Sequence, residues 1–377
     1  MNTKRHISLA LSGGGIRAMV FHLGVLRLLA ERNQMESVHQ ISTVSGGSLL
    51  VGILLQENKL QWPTSKQFLS FIYPRLREKL CLRSFQWGAV RQLLQPWNFR
   101  FILSRSNLLA IALQREWAIR GILGELPVNP EWSINGTTAE NGKRFRFKQS
   151  DIGDWELGYA APEKFPLSSA IAVSAAFPGG FGPLRLNARQ FDWRKRNWGA
   201  PADSATSVDI GYKTLHLYDG GVYDNLGLEP FFDCGSGTPK PNNADAFILV
   251  SDAGAPLRVG FSLMALNPFR LKRVADIMSD QAHALRVRSF HHYLQQKEGR
   301  GAMLYIGAPV HSALPCPSAA FATGFPTTLR RVTQTEFDRI AEHGYRVAMQ
   351  MQSIEHLITE SEEVVPDIQR GNISNAQ

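Results

Sequence analysis

The sequence predicts an α/β fold built on a mainly parallel central sheet, and three neighbouring stretches near the N-terminus predict it. Residues 7–12 alternate apolar and small side chains and end in a glycine run, the pattern of a short buried strand. From residue 17 to residue 32, Met19, Leu23, Leu26 and Leu29 recur at helical spacing, with Arg27, Glu31 and Arg32 on the other side. Residues 40–44 read as a second strand, and after Ser45 the run SLLVGILLQ is apolar all round, as in a helix enclosed by its own domain. Strand, glycine loop, helix, strand, serine turn, helix is the order of a parallel α/β unit.

Residues 62–126 differ in character. Arg75, Arg77, Lys79, Arg83, Arg91, Arg100, Arg105, Arg115 and Arg120 far outnumber Glu78, Glu116 and Glu125, and Phe68, Phe71, Phe85, Trp87, Trp97, Phe99, Phe101 and Trp117 are interleaved with them. This stretch reads as a mostly helical insertion. Asn141-Gly142, between residues 132–137 and the alternating Phe145 and Phe147, signals a hairpin. Further strands are expected at 214–218 and 246–250, and a long helix at 333–357. One large domain over residues 1–350 is expected, with a polar tail at 351–377.

Apolar residues make up 44% of the 377, enough for a sizeable core. A net charge of +9 favours an anionic partner: a phospholipid surface, a nucleic acid or an acidic protein. No nucleic-acid motif accompanies the basic insertion, so nucleic acid is not expected. Arginines among aromatic rings suit an anionic membrane, and they suit equally a helical subdomain with its own aromatic core. The three cysteines, Cys81, Cys234 and Cys316, have no metal or redox spacing, which points to reduced thiols in a cytoplasmic setting. The apolar stretch before Ser12 is too short for a secretion signal, and no run approaches the roughly 18 apolar residues that span a bilayer. Membrane contact is therefore expected to be peripheral. The sequence leaves oligomeric state open.

Candidate chemistry gathers at strand ends. Ser45, in Thr43-Val44-Ser45-Gly46-Gly47, sits where a strand gives way to a helix, a turn that lifts a serine hydroxyl above the sheet edge. Gly46 and Gly47 permit the close backbone approach such a turn needs. The usual glycine two residues before the serine is here Thr43. Gly13-Gly14-Gly15 ends the first strand and opens a helix, followed by Arg17. It lacks the Lys-Ser or Lys-Thr of a phosphate loop, and Ala18 breaks a dinucleotide fingerprint; an oxyanion hole or a plain tight turn remain open. Asp219, with Gly220 and Gly221 after it, follows a strand and could serve as a general base, and Asp252 stands at another strand end. His22, inside the first helix, reads as packing. His291 and His292 are adjacent, not spaced for a metal, and no metal or cofactor is expected.

Taken together, these segments resemble the patatin-like phospholipase family. SGGGIRAMVFHLGVLRLL is similar to its glycine-rich oxyanion segment, TVSGGS to its nucleophile elbow, YDGG to its aspartate motif, and residues 168–184, with Pro178 and Phe181, to the stretch between them. The likeness extends over residues 5 to about 260, outside the insertion. It implies a three-layer α/β/α fold and a Ser45–Asp219 dyad without histidine, acting on phospholipid or lysophospholipid acyl esters. It also implies an oxyanion hole from Gly13, Gly14 and Gly15, oriented by Arg17. Thr43 and Ala18 depart from the family pattern. The alternatives are a weak or inactive relative that binds lipid or protein, and an α/β-hydrolase in which His283 or His311 completes a triad.

Overall fold

The structure is a computed structural model and describes residues 5–101, 104–162, 164–177, 182–197, 200–257, 259–261, 267–310 and 319–351. Pro178, Phe181, His311, Cys316, the last residues of the expected 333–357 helix and nearly all of the polar tail lie outside the described residues.

The chain opens as the sequence suggests. Strand β1 (Ile7–Leu11) leads through the glycine loop into helix α1 (Gly15–Glu31), and β2 (Val38–Thr43) leads through Ser45 into α2 (Gly46–Glu57). The basic stretch folds largely as helices, among them α3 (Tyr73–Leu82), α4 (Phe85–Leu93) and α5 (Arg105–Glu116). The hairpin is β3 (Glu131–Thr138) with β4 (Arg144–Phe147), followed by α6 (Leu167–Ser174) and β5 (Thr214–Asp219). Strand β6 (Phe247–Asp252) is joined by a long helix, α7 (Asn267–Gln295), to β7 (Gly301–Tyr305), and α8 (Gln334–Met349) closes the described chain.

Five strands run parallel in the order β7-β6-β1-β2-β3, and the sheet continues beyond β3 through antiparallel strands. Side chains along β1 and β6 alternate between two cores, as strand geometry requires. Ile7, Leu9, Leu11, Phe247 and Leu249 face the large core shared with α1 and α2. Ala10, Ile248 and Val250 face a second core made with Leu226, Phe231, Phe232, Phe290 and Tyr293. Helices therefore cover both faces of the parallel strands, giving the three layers. Helix α1 is buried on nearly every side because α8 lies directly across it. A side chain at Gly24 would collide with the Ala341 carbonyl, and one at Gly344 with the Phe21 carbonyl.

The register of β3 places the candidate site. Ile134 pairs with Thr43 of β2 on one side and Phe147 of β4 on the other, while Gly136 pairs with Phe145 of β4 and Asp219 of β5. A strand has only two edges, so β2 and β5 share one edge of β3 and approach it from opposite directions. Their C-terminal ends meet. Ser45 lies two residues past Thr43, at the level of Gly136 and hence of Asp219.

Candidate active site

Ser45 adopts φ 49° and ψ −111°, a backbone conformation rare for a residue with a side chain. Strain of this kind costs on the order of 1–3 kcal/mol and must be held by its surroundings. The Ser45 amide donates to both the carbonyl (3.0 Å) and the hydroxyl (3.1 Å) of Ser174 at the end of α6. A side chain at Gly46 would strike the Gly15 carbonyl, and one at Gly47 would strike the Leu11 carbonyl. Both glycines exist to let the serine turn nest against the glycine loop.

Asp219 is buried, its carboxylate accepts the Gly221 amide at 2.7 Å, and the Ser45 side chain lies near enough to help hold its charge. Burial pushes its pKa up to about 7, against the smaller opposing pull of the Gly221 amide and the Ser45 side chain. Its backbone is fixed as well: the amide donates to Ala176 at 3.3 Å, and the carbonyl accepts the Thr137 hydroxyl at 2.8 Å. Gly220 packs where a side chain would strike the Asn135 carbonyl.

The glycine loop lies beside the serine. A Cβ at Gly13 would come within 3.1 Å of the Ser45 Cβ. Gly14 has φ 144° and Gly15 φ 62°, conformations open to glycine, and a Cβ on either would press on a carbonyl, Ala253 at 2.8 Å and Thr328 at 2.5 Å respectively. The three amides are not equivalent. That of Gly13 donates to the Asn225 carbonyl at 3.1 Å, whereas Gly14 and Gly15 stand at the start of α1, where amides have no helical acceptor. Arg17 is buried and reaches away from the serine: Nη1 donates to Phe325 at 2.7 Å, and Nε and Nη2 donate to Ala253 at 3.2 and 3.0 Å. It braces the loop on which Gly14 rests.

A model of the family described as patatin-like phospholipase matches residues 9–232, more than half of the chain. The chain belongs to the patatin-like phospholipase family. Comparison with curated protein sequences found no match. Among solved structures it is similar to human GIVD cytosolic phospholipase A2, with a TM-score of 0.54 and 14% identity over 95% of this chain and 60% of that one. It is equally similar to that protein in complex with methyl gamma-linolenyl fluorophosphonate, with a TM-score of 0.54, 13% identity and the same coverage. Identities this low show a shared fold, and this chain spans 60% of the length of those proteins.

The departure of Thr43 from the family pattern has a local account. Its hydroxyl accepts the Trp132 indole at 2.9 Å and lies 2.7 Å from that of Ser48, which lies 2.8 Å from that of Ser174. All are buried. A line of hydroxyls thus runs from Trp132 under the turn to the group that holds the Ser45 amide. The other departure, Ala18, packs its methyl 3.0 Å from the Cβ that Gly46 lacks.

His22 and His283 are engaged elsewhere. His22 is fully buried between the Ser251 hydroxyl (2.7 Å) and the Ser12 carbonyl (3.0 Å), and burial lowers its pKa to about 4. His283 on α7 lies 2.9 Å from Asp252, not from Asp219. Burial disfavours its cation, but the hydrogen bond and charge of Asp252 outweigh this and raise its pKa. Asp252 also accepts the Gly254 amide at 2.8 Å. Among the described residues no group of three or more His, Cys, Asp or Glu side chains is placed to hold a metal.

Two residues that sequence reasoning passed over emerge here. Ser174 holds the nucleophile's amide. Asn225 is wedged between the glycine loop and the aspartate loop, its carbonyl bound to Gly13 and its side chain filling the space left by Gly13 and Gly221. Ser174 sits in the 168–184 stretch and Asn225 four residues past the YDGG motif, but an isolated serine or asparagine carries no spacing signal.

Proposed function

We propose that the chain is a serine lipid acyl hydrolase acting on phospholipid or lysophospholipid esters through Ser45 and Asp219. One observation carries this reading: β2 and β5 meet end to end along β3, which sets the Ser45 side chain beside the buried Asp219 carboxylate, and no described histidine is bound to either. In this mechanism Ser45 Oγ attacks the acyl carbonyl carbon while Asp219 takes its proton. The Gly14 and Gly15 amides, at the positive end of α1, hold the negative oxygen of the tetrahedral intermediate. Collapse expels the alcohol, which takes the proton from Asp219. Water, deprotonated by the same carboxylate, then attacks the acyl carbon and frees the fatty acid, and Asp219 returns the proton to the departing Ser45 Oγ. Gly13 supports this site by fixing Asn225, and Arg17 supports it by bracing Ala253.

The enzyme is proposed to work peripherally, from a reducing cytoplasmic side consistent with the free thiols of Cys81 and Cys234. Among the described residues no helix is long and apolar enough to cross a membrane. Docking on anionic lipid is assigned to the basic stretch. Its aromatic rings divide: Phe68, Phe85 and Trp117 are core, whereas Phe71, Trp87, Trp97 and Phe99 are exposed. An open cavity of about 520 Å³ is lined by Arg83, Trp87, Arg91 and Arg331 together with Glu116, to which Arg83 and Arg91 are already bound, so a phosphate there would share these guanidinium groups with Glu116. The cavity lies near the site, because the Gln86 amide donates to Leu329, next to the Thr328 that touches Gly15.

The test is fatty acid release from mixed phospholipid vesicles by the native protein and by Ser45→Ala, with mass-spectrometric mapping of a fluorophosphonate adduct. Release lost in the variant and labelling at Ser45 would support the proposal. Release that persists would place the nucleophile elsewhere.

A further inference from the structure

Helix α7 is tied to the sheet over only part of its length. Near its C-terminal end Phe290 and Tyr293 enter the second core, and Leu294 approaches Gly301, which pairs with Ile248. Eleven residues earlier, His283 meets Asp252 at the C-terminal end of β6. The helix therefore runs antiparallel to β6, and its remaining N-terminal residues continue past the edge of the sheet on which the glycine loop and Ser45 open. At 1.5 Å per residue, Arg270 stands roughly 20 Å beyond Asp252.

This projecting half carries exposed apolar side chains: Leu271 (71% exposed), Val274, Ile277 and Met278 (68%), with Val259 and Phe261 in the segment before it. A helix facing only water has no use for such a stripe. Charge is graded along it. Arg270, Lys272 and Arg273 cluster at the outer end, and Asp276 and Asp280 lie nearer the sheet, with Lys272 reaching Asp276 at 2.5 Å. A basic, apolar end that points outward from the catalytic edge fits an anionic bilayer, where rings and aliphatic chains enter the headgroup boundary and cations meet phosphate. A second copy of this chain fits less well, since it would oppose the same cationic ends.

We propose that the N-terminal half of α7 is an anionic-membrane anchor that sets the Ser45 edge of the sheet against the bilayer. It acts beside the basic insertion and rests on the acyl hydrolase reading only for its purpose, not for its existence.

The experiment compares the native full-length chain with Leu271→Glu/Met278→Glu in co-sedimentation with phosphatidylcholine vesicles, with and without phosphatidylglycerol. Hydrolysis of a soluble short-chain ester is followed in parallel. Both positions are exposed, so the double variant is expected to fold and to hydrolyse the soluble ester as the native protein does. Its binding to the phosphatidylglycerol vesicles is expected to fall by about tenfold or more. Native-level binding by the double variant would overturn the anchor, as would equal binding of the native chain to both vesicle types. A dimer that becomes a monomer in the variant while vesicle binding is unchanged would assign the stripe to a second copy and also overturn it. If neither form hydrolyses the soluble ester, the Ser45 reading fails while the vesicle comparison still decides the anchor.

Discussion

The indole Nε1 of Trp132 donates to the Thr43 hydroxyl at 2.9 Å, one strand away in the buried floor beneath Ser45. From Thr43 the contacts pass through Ser48 to Ser174, whose hydroxyl and carbonyl both accept the Ser45 amide. A threonine in place of the family's glycine thus builds a support that the glycine could not.

Thr43→Val keeps the shape and removes the hydroxyl, leaving the Trp132 indole and the Ser48 hydroxyl short of a buried partner. The expected cost is about 1–3 kcal/mol in denaturant-unfolding stability. Turnover of a soluble ester is expected to fall by roughly tenfold, as the hold on Ser45 loosens. Thr43→Ser restores the hydroxyl and is expected to recover both quantities. A valine variant that matches the native protein in both would mean the hydroxyl line supports nothing.

The buried Asp219 sets a pH dependence. A base with its pKa near 7 is ionised above that value, so kcat/KM for a soluble ester is expected to rise through about pH 7 and level off above it. A profile flat between pH 5 and 9 would remove Asp219 from the role.

Stability should move the opposite way. The folded carboxyl keeps its proton up to about pH 7, whereas the unfolded one loses it near 3.8. Between those values the folded state binds more protons, so Asp219 makes stability fall as pH rises, with the full cost present above pH 7. Asp219→Asn removes the cost. The variant, inactive, is expected to melt higher than the native protein at pH 8, with the gap narrowing toward pH 5. Thermal unfolding at the two pH values checks this, and a gap of constant size would contradict the assigned cause.

Much of this site was legible because its demands are local. Gly13, Gly14 and Gly15 are dictated by backbone conformations and close contacts, Gly46 and Gly47 by the tightness of the turn, and Asp219-Gly220-Gly221 by a carboxylate folded back on its own loop. What sequence could not separate was the work of each amide: Gly13 looks like its neighbours, and only the tertiary approach of Asn225 consumes its hydrogen. The meeting of Ser45 with Asp219 depends on two strands abutting along one edge of β3, a long-range register with no local signature. Helix α7 and strand β7 were missed for a different reason. The exposed apolar stripe of α7 follows residues that break any simple pattern, and the residues that fix its direction, His283 and Phe290, act through contacts with β6 and the second core.

The triad alternative meets a direct test in His283. Its ring is held by Asp252, and Asp252 in turn caps the Gly254 amide, so the pair fastens α7 to the end of β6. His283→Ala is expected to lower the melting temperature, since a half-buried hydrogen-bonded partner is lost, and to leave soluble-ester kcat within about tenfold of native. Ser45→Ala and Asp219→Asn are each expected to lose about 10³-fold or more. A comparable loss in His283→Ala would restore a histidine to the mechanism and overturn the dyad.

Two glycines allow packing and catalysis to be told apart. At Gly24 an added methyl meets the Ala341 carbonyl, in the crossing of α1 with α8 and away from the serine. At Gly46 it meets the Gly15 carbonyl and comes within 3.0 Å of both the Ala18 methyl and the Gly15 amide nitrogen. The obstacle in each case is backbone, which cannot swing aside as a side chain can. Gly24→Ala must push two helices apart and is expected to cost about 1–3 kcal/mol of stability, with kcat of the surviving folded protein close to native. Gly46→Ala must instead displace the start of α1, where the Gly14 and Gly15 amides are proposed to meet the oxyanion. Its expected signature is a kcat lower by about 10²–10³ with KM little changed, because those donors bind the transition state and not the ester. Soluble-ester kinetics on both variants, each normalised to its folded fraction, decides the matter. If Gly46→Ala lost only stability, the glycine loop would be a packing device and the oxyanion would have to be held elsewhere.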